Sequence, residues 1–170
     1  MSPKVQRRGD GVELVFDDAE VTLLGGLGEQ LRPLLTGEAP NTDLDPVRER
    51  LFPRAYSDPT EDEAEDDWQL AVHGDLVRER VEALDALTTA VTAAGKRRSR
   101  RIVHISFEDA ERWLTALNDA RLALGTRLGV TEYLDYGKVP SEERGAYEIY
   151  GWLTYLQGEL IEAVAVADDD

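Results

Sequence analysis

Two arginines carry the first chemical signal in this chain. Arg121 lies in SFEDAERWLTALNDARLALGTRLG, Ser106 to Gly129, where Ala110, Trp113, Leu114, Leu117, Ala120, Leu124 and Leu128 share one sector of a helical wheel. Arg121 falls inside that sector. Arg80 falls likewise on or against the apolar face of an earlier helix, with His73 on the same side. A guanidinium keeps its charge, so within an apolar stripe it must reach a carboxylate, a carbonyl or water. Acidic candidates for the two arginines are Asp17, Glu132 and Asp135. Two outcomes fit: a salt-bridge network that fixes helix register, or an anion pocket built on bidentate guanidinium contacts.

Other catalytic chemistry is sparse. No serine sits in G-x-S-x-G, and Ser106 and Ser141 read as helix caps. The two histidines, His73 and His104, have Leu70 and Arg101 three residues earlier, where a di-metal bundle site would need glutamate. With no cysteine, disulfides and thiolate metal sites are excluded. The run Asp58 to Asp67, DPTEDEAEDD, holds seven acidic residues in ten but does not follow the calcium-loop pattern. Gly25-Gly26-Leu27-Gly28 lacks the Walker lysine and the third glycine of a dinucleotide fingerprint. The expectation is a non-enzymatic chain with no metal and no cofactor.

Charge is the second signal. The chain carries −16 with a pI near 4.5, which repels nucleic acid and anionic membranes at long range. Against that background Lys96, Arg97, Arg98, Arg100 and Arg101 place five basic residues in six, read as a loop over 96–101. Such a loop suits an acidic protein or phosphate, and it also complements the dipole at the preceding helix C-terminus. The acidic run, read as a loop over 56–67, lies at that helix's other end. About 28 helical residues, roughly 40 Å, separate the two runs. They meet only between antiparallel chains, which makes a charge-paired homodimer one allowed assembly. Five of the six tyrosines lie between Tyr133 and Tyr155. Tyr147 and Trp152 flank the last helix's core stripe, and Tyr155 points away from it as a candidate interface residue.

The elements that must position these groups are mostly helical. The 170 residues fit one domain, mainly α, with a four-helix bundle-like core and a small N-terminal β-hairpin or sheet. The hairpin is read over 4–17 around Gly9-Asp10-Gly11, with Val12, Leu14 and Phe16 alternating against polar neighbours. Helices are read over 18–35, 66–94, 107–128 and 141–165, with a short one from Asp45-Pro46 through Leu51. Ile102 to Ile105 is expected to join the hairpin. The inner faces are Val21, Leu24, Gly28, Leu31 and Leu35 in the first helix, and Leu70, Val77, Val81, Leu84, Thr88 and Val91 in the 66–94 helix. In the last they are Ala146, Ile149, Tyr150, Leu153, Leu156, Leu160 and Val164. Gly25, Gly26 and Gly28 weaken the first helix, so close packing against a neighbour is expected there. The N-terminal MSPKVQRRGD has no apolar signal core and no 18-residue apolar run follows, so the expectation is a cytoplasmic protein without membrane contact.

The signature Trp113-Leu114-x-x-Leu117-Asn118-Asp119-x-Arg121-Leu122-x-Leu124-Gly125-x-Arg127-Leu128-Gly129, with the hairpin and helix order, resembles an actinobacterial family of domain-of-unknown-function proteins. Its members are usually encoded beside the Clp protease adaptor ClpS and near a Mov34-type metallopeptidase. The resemblance implies a setting of regulated proteolysis or sulfur assimilation, and some members have been labelled regulatory. It passes on no catalytic residue. On the wheel, Leu117, Leu124 and Leu128 are core and Gly125 sits where another helix can approach. Asn118 lies at the edge opposite Arg127, and Asp119 is on the outer face. The function expected is a non-enzymatic interaction or regulatory protein that binds a protein partner, with a Clp link implied by the resemblance alone. The alternative is a nucleic-acid-binding transcriptional regulator using Lys96–Arg101, with Lys4, Arg7 and Arg8 as candidate further contacts. The net charge and the want of a recognition helix oppose it.

Overall fold

The computed structural model describes residues 2–38, 45–56, 58–131 and 135–165, the Tyr136 side chain excepted. The N-terminal hairpin pairs Lys4–Arg8 (β1) with Gly11–Phe16 (β2), turning through Gly9 and Asp10 with Gly9 at φ 59°. A lone Cβ is disfavoured at that φ, which explains glycine there. Helix α1, Asp18–Thr36, starts at a reciprocal capping box: Glu20 N–H donates to Asp17 Oδ1 and Asp17 N–H to Glu20 Oε2, both at 2.8 Å. It stops at Gly37, φ 79°, whose N–H donates to Pro33 O. Asp17→Ala is expected to cost about 1 kcal/mol in urea unfolding, the usual worth of such a cap. Its buried face holds Leu24, Leu31 and Leu35 as expected, with Leu27, Leu34 and Glu20 added. The close packing expected of the glycines occurs at Gly28, where a Cβ would lie 3.0 Å from Thr88 Cγ2. Gly25 has no neighbour within 4 Å of that position, and Gly26 only Gln30 Nε2 at 4.0 Å.

Asp45 caps the short helix α2, Pro46–Leu51, by accepting from Val47 N–H. A 3-10 turn, Pro59–Glu61, then leads into α3, Asp62–Thr92. The acidic run is therefore not a loop over 56–67; most of it forms the first turns of α3. Carboxylates at a helix N-terminus are favoured by its dipole and free N–H groups. One of them, Glu65, is buried, accepting from Tyr56 N–H and Gln69 Nε2. The Gln69 hydrogen bond first, and then the Tyr56 amide, hold its carboxyl below the usual range.

A second hairpin replaces the expected basic loop: Gly95–Arg97 (β3) pairs with Arg100–Ser106 (β4) across a turn at Arg98 and Ser99. The sheet order is β1-β2-β4-β3, antiparallel throughout, so β4 does join the N-terminal hairpin. Ser106 then caps α4, Phe107–Leu128, through Asp109 N–H. A 3-10 turn, Tyr136–Lys138, precedes α5, Arg144–Ala165, which begins three residues after the expected Ser141.

One face of the sheet (Val12, Leu14, Phe16, Val103, Ile105) closes over the helices in a single core cluster. Phe16 stacks on the fully buried Trp113 at 6.3 Å between centroids. Helices α1 and α4 pack on α3, α5 packs on α4, and α2 crosses α4. Leu70 departs from its expected inner position and is 88% exposed. Near its start α3 instead buries Glu65 and half-buries Trp68 and Gln69, so Leu70 faces solvent. Ile149 likewise lies at the surface, while Tyr147 takes a buried place.

Candidate functional site

One cluster of charged groups lies where α2, α3 and α4 meet. Asp119 is 2% exposed, which overturns its expected outer-face position. Arg80 Nη1 donates to Asp119 Oδ1 at 2.9 Å and to Leu51 O, the last residue of α2, at 3.1 Å. Burial pushes the Asp119 carboxyl up to about 6, and the Arg80 charge holds it from going further. Its Oδ2 is buried without a hydrogen-bond partner among the described residues.

Beside this pair Phe52 carries two guanidiniums, Arg48 at 4.8 Å and Arg80 at 5.2 Å from the ring centroid. His73 meets the same ring edge-on at 5.2 Å. Arg48 Nη1 donates to Leu34 O and Leu35 O, satisfying carbonyls at the end of α1, and its Nη2 lies 3.0 Å from His73 Nε2. Arginine only donates, so Nε2 is the acceptor and the imidazole proton sits on Nδ1. Burial first, and then the Arg48 charge, depress the His73 pKa. The cluster thus links the end of α1, the C-terminal half of α2, mid-α3 and mid-α4. At its centre sits one carboxyl whose pKa burial raises to about 6.

Arg121 does not join Arg80. It donates to Thr154 Oγ1 at 3.0 Å and Gln157 Oε1 at 2.5 Å, and its guanidinium lies 5.6 Å from the Tyr150 ring centroid. Neutral partners on α5 satisfy it. Of the expected acidic partners, Asp17 caps α1, Asp135 accepts from Gly137 N–H, and Glu132 lies outside the described residues. In the rest of the signature, Trp113 and Leu117 are core and Asn118 is half-buried. Gly125 admits Tyr150, whose Cε2 would stand 3.0 Å from an added Cβ. Arg127 pairs with Asp45 at 3.1 Å, bringing the end of α4 to the start of α2. Tyr147 donates to Leu128 O, and Trp152 Nε1 donates to Glu20 Oε1 at 3.0 Å. Tyr155 is exposed as expected, and Tyr133 lies outside the described residues.

The basic residues converge on the sheet. Residues 4–16 and 95–106 hold eight Lys and Arg against Asp10 and Glu13, a balance of +6 that leaves −22 on the rest of the −16 chain. Lys4, Gln6, Glu13, Arg97, Arg98 and Arg100 surround Val15 and Ile102 in a shallow concavity on the outer face. Arg101 turns to the side and bonds Asp18 Oδ1 at 2.7 Å, holding that carboxyl below its usual range. Arg98 occupies the first turn position of the second hairpin with φ 57°, a conformation that glycine adopts freely and other residues at a cost of about 1 kcal/mol or more. A guanidinium at the hairpin tip is thus kept against the backbone's preference. The sequence located the basic run but not its folding into a sheet edge, because Arg-Ser carries none of the usual turn signals.

Among the described residues there is no group of three His, Cys, Asp or Glu able to hold a metal, and no helix long and apolar enough to cross a membrane.

The fold is thus a helical domain covered on one side by a four-stranded antiparallel sheet. Residues 1–164 match the model for the family described as Domain of unknown function (DUF2017), and the chain belongs to that family. It is also similar to the oxidative stress regulator AosR of Mycobacterium bovis and of Mycobacterium tuberculosis, 28% identical over 164 residues, covering 86% of this chain and 70% of that protein. No solved structure matches.

Proposed function

We propose that this chain is a non-enzymatic regulatory protein that binds an acidic protein surface through the outer face of its sheet. The observation that carries this reading is the segregation of charge: +6 on the sheet segments of a −16 chain, with Arg98 held at the hairpin tip in a costly conformation. The regulatory name of the mycobacterial relative supports the same class. The Clp machinery implied by the family resemblance supplies the first partners to try.

Nucleic acid is the weaker occupant of this face. Sheets that bind single strands present aromatic rings for base stacking, whereas Val15, Ile102 and His104 are what lies between the arginines here, and Glu13 repels phosphate. The relative is named for oxidative stress, a signal this chain does not take up through a thiol. Its 170 residues contain no cysteine and only the methionine at position 1, so thiol oxidation has no site. Peroxide treatment is accordingly expected to leave its melting temperature unchanged.

Capture from the native host at near-physiological salt, with the wild-type chain and the Arg97→Glu/Arg98→Glu/Arg100→Glu variant as parallel baits, tests the proposal. Loss of the same acidic protein from the variant eluate supports it, and equal capture by both baits overturns it. Retardation of a DNA or RNA fragment that falls steeply between two salt concentrations would instead assign the face to phosphates.

A further inference from the structure

A second concave surface lies away from both the sheet and the Arg80–Asp119 cluster, and its chemistry is different. Helices α1 and α5 are tied together at one end by the Trp152–Glu20 hydrogen bond. Beside that tie a groove of about 460 Å³ opens between α1, α4 and α5. Its walls are Leu23, Leu27 and Leu31 of α1 and Ile149 and Leu153 of α5, over a floor that includes the small side chains of Ala120 and Ala123. Three polar side chains reach it, Thr22, Gln30 and Arg127. Volume and lining fall within the range of small-molecule sites rather than of protein interfaces. The α5 wall runs only from Ala146 to Leu153, about 10 Å, too short to seat a partner helix along its length.

The charge at the groove decides the head group. Arg127 is its cationic residue, with a side chain 56% exposed and an ion pair to Asp45 Oδ2. Asp45 is 20% exposed, but the pair uses only Nη2 of the guanidinium, whose remaining N–H donors can serve a second carboxylate. Asp45 loses nothing essential when Arg127 turns away, because its other oxygen, Oδ1, still caps α2 through Val47 N–H. We infer that the groove between α1, α4 and α5 binds a small amphiphilic carboxylate, its alkyl chain against Leu27, Leu31, Ile149 and Leu153 and its carboxylate on the Arg127 guanidinium. Such a ligand removes exposed Ile149 from water and gains a charge-assisted hydrogen bond at the mouth. This inference is independent of the sheet's partner.

Gly26 supplies a clean test. A Cβ there meets only Gln30 Nε2 at 4.0 Å, so Gly26→Leu places a side chain into the groove while strengthening α1 as a helix. Dodecanoate and dodecanol, each below its aggregation concentration, are titrated calorimetrically into the wild-type chain, Gly26→Leu and Arg127→Gln. Dodecanoate is expected to bind the wild type saturably at one site and to bind Gly26→Leu at least about tenfold more weakly. Arg127→Gln is expected to lose about tenfold for dodecanoate and nothing for dodecanol. No saturable dodecanoate binding to the wild type, or binding unchanged in Gly26→Leu, overturns the site. Equal losses for acid and alcohol in Arg127→Gln overturn the carboxylate assignment.

Discussion

Arg80→Ala is expected to lose roughly 3–5 kcal/mol of unfolding free energy at pH 8 but only about 1–2 kcal/mol at pH 5. At the higher pH the variant must either keep the Asp119 charge in a site only 2% exposed or take up a proton against the solution. At pH 5 Asp119 is already mostly neutral in the wild type, so the variant loses only the hydrogen bond to Leu51 O and the packing over Phe52. Adding Asp119→Asn to Arg80→Ala should restore most of the pH 8 loss, since the buried charge is gone. Urea unfolding of the three chains at the two pH values measures this. An Arg80→Ala penalty that is the same at both would show that the pair contributes packing and not electrostatics.

The same carboxyl sets a pH dependence in the wild type. Its folded pKa lies above the ordinary 3.8, at about 6, so the folded state binds that proton more tightly than the unfolded chain. The resulting stability is complete below about pH 4 and is lost as pH rises through 6. At about 1.4 kcal/mol per tenfold change in proton affinity it amounts to roughly 3 kcal/mol. His73 works in the opposite sense: its depressed pKa contributes stability present above 6.5 and lost as pH falls through the folded value. Comparison with Asp119→Asn separates the two, because only the rise toward acid disappears in that variant.

Why Asp119 escaped the sequence is a matter of which residues mark a helical face. In α4 the large apolar residues Leu114, Leu124 and Leu128 draw the expected stripe toward themselves. The structure leaves them half-buried and centres burial on Ala116, Ala120 and Ala123. Alanines add little to an apolar pattern, yet burial centres on them, and Asp119 lies at the edge of that arc. The α3 stripe fails differently: Leu70 has the right spacing, but near its start the helix turns the side with Glu65, Trp68 and Gln69 inward. Local signals held where local physics decides. Asp45 and Ser106 start the helices they were expected to start, though Ser141 lies three residues ahead of α5, and Gly125 and Gly28 stand at close helix approaches. Clusters such as Arg48–Phe52–His73–Arg80 join residues from two separate segments, and no spacing within one segment announces them.

Gly11 is the position where a single methyl group should do most damage. It opens β2 opposite Ser106, with Val12 opposite Ile105, and an added Cβ would stand 2.2 Å from Ile105 O and 3.2 Å from its carbonyl carbon. These are backbone atoms of the neighbouring strand, so no side-chain rotation relieves the clash. The strands must part, and β2 carries Val12, Leu14 and Phe16 into the core, the last stacked on Trp113. Gly11→Ala is therefore expected to cost about 3 kcal/mol, at the upper end for overpacking, and to speed amide hydrogen exchange along β2 and β4. Gly9→Ala is the matched control, since it suffers from φ 59° but has nothing within 4 Å of its Cβ, for a cost of about 1 kcal/mol. Equal penalties for the two would mean that β2 and β4 are not so closely apposed. A larger penalty at Gly11, with exchange rising in both strands, would show that the sheet's basic outer face depends on one missing side chain at its inner edge.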